Sequence, residues 1–60
     1  MLVAFLMPMR GDTAEFPGFH IATVVDGGGF HIKDHESFHY WWAPGTWAYA
    51  WTEERADPDD

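Results

Sequence analysis

The chain has no cysteine, so neither a disulfide framework nor a thiolate metal site is available to its 60 residues. A single core in so short a chain seldom stabilises a fold by more than about 3–5 kcal/mol, and packing must supply what cross-links supply elsewhere. Asparagine and glutamine are also absent, although turn signals are frequent, and Ser37 is the single serine. Positive charge is scarce. Three Lys and Arg residues stand against ten Asp and Glu, a formal net charge of −7. Nucleic acid and anionic membrane surfaces are repelled by such a chain, and the charge-driven partner it selects is a basic protein surface. Long apolar runs are missing too. The run from Met1 to Met7 has no positive residue before it and stops at Pro8, which is too short for a signal peptide or a membrane span. It reads as a buried strand, and the chain as a soluble, cytoplasmic protein.

What the chain does have is aromatic side chains, 18% of the sequence, concentrated between Phe38 and Trp51. All four tryptophans lie there, on either side of Pro44-Gly45. That dipeptide suits the centre of a type II turn, because proline presets φ and glycine accepts a positive φ. The expected structure is a β-hairpin with Trp42 opposite Trp47, Tyr40 opposite Tyr49 and Phe38 opposite Trp51, all on one apolar face. His39, Trp41, Ala48 and Ala50 take the other face. A hairpin of this kind needs a cover, and the rest of the chain is read as that cover.

Residues 2–7 form the first strand, and residues 8–18, rich in Pro, Gly and acids, a long loop with Phe16 tucked against the fold. Residues 19–25 alternate as a second strand with Phe19, Ile21 and Val25 inward. Asp26-Gly27-Gly28-Gly29 turns the chain, and centring the turn on Gly27-Gly28 places Val25 opposite Phe30. A second turn at Asp34-His35-Glu36 leads into the aromatic hairpin, with Ile32 opposite Phe38 and His31 beside His39. The expected fold is all-β: a small five-stranded antiparallel barrel or meander over residues 1–52, with 53–60 as an acidic tail. Strand, long loop, three-strand meander, short turn and final strand resemble the order of elements in SH3-like barrels, and Trp41-Trp42 looks like the tryptophan pair of SH3 domains. The other SH3 signature segments are absent, so recognition of proline-rich peptides is not implied.

Chemistry-bearing residues are few. His31 and His39 form one expected pair and His20 and His35 another, yet zinc needs about four donors and no third ligand accompanies either pair. No cofactor or metal is expected. Ser37 beside Glu36 is a turn former, and Asp26 to Gly29 lacks the lysine and following helix of a phosphate loop. No enzymatic site is expected either. Trp41, alone on the outer face beside His39, is the candidate binding anchor, because an exposed tryptophan needs a cover and is enriched at interface centres. The acids Asp12, Glu15, Asp34, Glu36, Glu53 and Glu54 are expected to gather at one pole with Asp57, Asp59 and Asp60, leaving Asp26 alone at the other.

The reading that follows is a small acidic module that binds a partner's basic surface, a nucleic-acid-binding protein among the candidates, and acts as an inhibitor. In size and charge it resembles phage-encoded anti-defence inhibitors such as anti-CRISPR and other DNA-mimic proteins. The alternatives are a structural or decoration subunit of a larger assembly, and a metal or pH sensor built on His31 and His39.

Overall fold

A computed structural model describes residues 1–56. The chain is all-β, with strands β1 (Leu2–Pro8), β2 (Ala14–Pro17), β3 (Ile21–Val24), β4 (Phe30–Lys33), β5 (His39–Trp42) and β6 (Trp47–Glu54). They form two antiparallel three-stranded sheets, ordered β2-β1-β6 and β3-β4-β5. The expected five-stranded SH3-like barrel is replaced by two separate sheets that share one small core. No helix among the described residues is long and apolar enough to cross a membrane.

β1 is the central strand of its sheet, as a run apolar on both faces allows. Val3 and Leu6 are fully buried and Ala4 nearly so. Leu6 meets Phe30 and Ile32 of the other sheet, and Phe16, Phe19, Ala22, Trp42, Trp47 and Ala50 pack around them. Each fully buried aliphatic contributes about 1.5–3 kcal/mol. This is a thin core, and the 14 Å short dimension of the molecule reflects two layers with little between them.

The stretch expected to be a long loop contains β2. Ala14 to Pro17 pair with Leu6 to Val3, so Phe16 packs inward while Glu15 faces out. Pro17 has no N–H to donate, which an edge strand tolerates.

Registers differ from the sequence reading in an instructive way. Val24, not Val25, pairs with Phe30, because Val25 closes a three-residue loop by donating to the Gly29 carbonyl at 2.9 Å. A slip of one residue exchanges the faces of a strand. Ala22 therefore points into the core opposite Ile32, and Ile21 points out. Gly29 sits where a Cβ would lie 2.9 Å from the Trp42 carbonyl oxygen, so the loop cannot keep this form with a larger residue there. Between β4 and β5 the slip is two residues, Ile32 pairing with Tyr40, and a slip of two keeps the faces. Phe30, Ile32, Tyr40 and Trp42 share the inner face as expected.

The aromatic hairpin is the largest correction. Its turn is present: Thr46 N–H donates to the Ala43 carbonyl at 3.1 Å and Gly45 has φ 82°. The strands on either side then part, β5 joining β4 and β6 joining β1. A bulge opposite Met7 and Pro8 lets Trp47 turn inward onto Phe30, with ring centroids 5.1 Å apart, while Tyr49 and Trp51 turn outward. The strand also runs on through Glu53 and Glu54, which the sequence reading assigned to a tail. Arg55 and Ala56 follow it without regular structure, and residues 57–60, including Asp57, Asp59 and Asp60, lie outside the described residues.

Candidate protein-binding surfaces

The two sheets expose two outer faces. On the β3-β4-β5 sheet, strand alternation places His31 and Lys33 of β4 beside His39 and Trp41 of β5. Trp41 is 63% exposed, more than Trp42, as expected of a surface anchor. Its indole lies flat on the His31 ring, with centroids 3.9 Å apart and planes 10° apart, and so screens an imidazole that is only 9% exposed. His31 Nε2 and His39 Nδ1 are 2.8 Å apart. The expected His31–His39 contact is therefore made, though on a diagonal, because the direct partners are His31 with Trp41 and Lys33 with His39. The expected flanking of Trp41 by Ala48 and Ala50 does not occur, since β6 belongs to the other sheet.

On the β2-β1-β6 sheet, the outer face carries rings that the sequence reading placed in the core. Phe5 stacks on Trp51 with centroids 5.1 Å apart and planes 10° apart, and Trp51 meets Tyr49 at 5.5 Å. Tyr49 is 60% exposed. Glu15 and Glu53 stand on this face as well, and both are held. Glu15 accepts from Arg55 at 2.6 Å, and Glu53 Oε2 accepts the Trp51 indole N–H at 2.8 Å. The Arg55 guanidinium lies 5.8 Å from the centre of the Phe5 ring.

Of the acids expected at one pole, Glu36, Glu53 and Glu54 do share an end of the molecule, where Gly18 lies close to both His35 and Met1, whereas Asp12 lies at the other, where Met9 meets Thr46. Glu15 and Glu53 join the aromatic face of the β2-β1-β6 sheet; Glu54 lies beside the N-terminal amine at 3.1 Å; Asp12 is exposed in the β1–β2 connection; Glu36 is exposed in the β4–β5 turn, 3.4 Å from His35. Asp34 is turned toward its own turn. It is 9% exposed, and its Oδ1 accepts the N–H groups of Glu36 and Phe38, each at 2.9 Å. Desolvation pushes its carboxyl upward, but the hydrogen bonds from Phe38 and Glu36, with His35 and Tyr40 nearby, outweigh it and hold it below the ordinary 3.8. The residue organises a turn in which Ser37 takes φ 70°.

His20 Nε2 reaches the His35 carbonyl oxygen at 3.3 Å, so the second histidine pair meets through backbone rather than ring to ring. Among the described residues no group of three or more His, Cys, Asp or Glu is arranged to hold a metal ion.

Tyr49, Trp51 and Phe5 were missed as surface residues, and a signal for the first two was present. Glu53 and Arg55 share the odd phase of β6 with Tyr49 and Trp51, and a phase that ends in charges faces water. Compared with protein-family models, curated proteins and solved structures, the chain matches none.

Proposed function

We propose that the chain is a small acidic module without catalytic activity that binds a basic surface on another protein, in the manner of an inhibitor or DNA mimic, in the cytoplasm. The observation that carries this reading is the pairing of a −7 charge with large rings left exposed on strands, Trp41 at 63% and Tyr49 at 60%. Charge of one sign steers encounter with the opposite sign, and rings on rigid strands anchor a complex at little entropic cost. The acids that steer are Asp12, Glu15, Glu36, Glu53 and Glu54, and the anchors are Trp41 with His39 on one face and Tyr49 with Trp51 on the other. A nucleic-acid-binding protein is the kind of target whose surface complements both.

The test is kinetic. Once a partner is isolated by cross-linking, its association rate is measured across ionic strength for the wild type and for a variant with Asp12, Glu36, Glu53 and Glu54 changed to Lys. Asp34 is left intact because its removal would disturb the turn. The wild type is expected to associate about tenfold or more slowly in high salt than in low, and the variant to be slow throughout. A wild-type rate indifferent to salt would remove the reading.

A second reading, a subunit that decorates a larger assembly, is favoured by the outer edges of β5 and β6, which pair with no strand among the described residues, and by Leu2, Met9, Val24 and Phe38, all exposed. It predicts tight association that does not weaken with salt.

A further inference from the structure

The aromatic face of the β2-β1-β6 sheet already holds one guanidinium, that of the chain's own Arg55. It reaches from the end of β6 across β1 to Glu15 on β2, forming the ion pair at 2.6 Å while lying 5.8 Å from the Phe5 ring centre. Ring face and carboxylate are met by one planar cation, an arrangement that suits arginine because its stacking surface and its in-plane donors point in perpendicular directions. One strand spacing away the same two elements recur. The Trp51 indole donates to Glu53 Oε2 at 2.8 Å, which fixes a carboxylate at the edge of the aromatic row, beside the half-buried Trp51 ring. Glu53 has no cationic partner among the described residues. Tyr49 continues the row, 60% exposed.

We propose that this face is an arginine-accepting surface: a guanidinium of a basic partner lies against Trp51 and donates to Glu53, repeating the contact that Arg55 makes with Phe5 and Glu15, while the aliphatic part of the partner's segment covers Tyr49. The inference rests on the basic-partner reading and names the face and the side chain. Charge complementarity selects the occupant, since a second copy of this chain would bring −7 to −7. Lysine is the poorer guest. Its ammonium is a compact, strongly hydrated point that cannot stack flat and donate sideways at once.

The experiment uses the full chain labelled with 15N and two probes, a blocked tetra-arginine peptide and a tetra-lysine peptide of equal charge. The arginine peptide is expected to shift the Trp51 indole N–H and the Tyr49 backbone most, and to bind roughly fivefold more tightly than the lysine peptide. Glu53→Gln and Tyr49→Ala, both at exposed positions, are each expected to weaken the arginine peptide by roughly threefold to tenfold, and Thr23→Ala, exposed on the other sheet, to leave it unchanged. Equal binding of the two peptides, or shifts centred on Trp41 and His39, overturns the assignment of this face but keeps the basic-partner reading. No shift with either peptide at low salt overturns both.

Discussion

His31 Nε2 and His39 Nδ1 face each other at 2.8 Å with their rings 6° from parallel, and only one of the two nitrogens can carry the shared hydrogen. The two imidazoles are therefore held in complementary tautomers, one donating and one accepting. His31 is nearly buried under Trp41, so a lost partner leaves its nitrogen without a substitute. His39→Ala is expected to lower stability by about 1–2 kcal/mol in urea denaturation, the usual effect of stranding a buried polar atom. In a His31→Phe background the same substitution should lower it far less. Equal losses in both backgrounds would mean that the contact contributes nothing.

Asp34 contributes to the acid limb of the stability curve. Its folded-state carboxyl is held below 3.8, so its contribution is fully present above that value and is lost as pH falls through the lower, folded-state value. The gap in melting temperature between the wild type and Asp34→Ala is expected to be constant above about pH 5 and to narrow below about pH 3.5. Asp34→Asn keeps an acceptor for the N–H groups of Glu36 and Phe38 but does not titrate, so its own curve should lack this part of the limb. A gap that stays constant down to pH 2 would show that the carboxylate's charge is irrelevant to the turn.

Gly29 is constrained by its surroundings rather than by its φ. A Cβ there would meet the Trp42 carbonyl oxygen at 2.9 Å and Val25 Cγ2 at 3.1 Å. The carbonyl is backbone and cannot rotate away, so Gly29→Ala is expected to destabilise by about 1–3 kcal/mol. Gly11 makes the contrast: it has φ 94° and open space around it, and Gly11→Ala meets only conformational strain, about 1 kcal/mol. Thermal melts of both variants give the comparison, and a Gly29→Ala variant as stable as the wild type would refute the close approach.

Much of the fold was legible where apolar periodicity and turn chemistry agree. The β1 run, the β3–β4 and β4–β5 pairs and the Pro44-Gly45 turn all follow from residues whose backbone preferences leave few choices. The failures share a cause, which is that the sequence does not say which strand a turn hands its successor to. Pro44-Gly45 specifies a reversal, and reversal alone is compatible with a hairpin or with a step from one sheet to another. The step then carried Tyr49 and Trp51 from an expected core to a surface. The Glu15 side of β2 was hidden because Pro17 and Gly18 read as loop signals, whereas an edge strand accommodates both. Of the candidate residues, the exposure of Trp41 beside His39 was legible because the two take the phase of β5 opposite to Tyr40 and Trp42; the burial of Asp34 was not, because a turn acid looks like any exposed acid until its N–H partners are seen.

The bulge in β6 makes the sharpest stability contrast in the molecule. An unbroken hairpin would treat Trp47, Tyr49 and Trp51 alike, since they alternate on one face. With the bulge, Trp47 is the one ring of these three that packs between the sheets: it meets Phe30 edge-on at 5.1 Å and its indole N–H donates to the Gly28 carbonyl at 3.0 Å. Trp47→Ala removes both, an expected loss of about 3–5 kcal/mol, comparable with the whole stability of a chain this short, so the variant should be unfolded. Trp47→Phe keeps a ring against Phe30 and loses only the hydrogen bond to the exposed Gly28 carbonyl, for about 1 kcal/mol. Tyr49→Ala, two residues on, exposes little that was covered and should change stability by about 0.5 kcal/mol. Chemical denaturation of the three variants measures the series. If Tyr49→Ala were as damaging as Trp47→Ala, the two rings would share one buried face and the division into two sheets at the Pro44-Gly45 turn would be wrong.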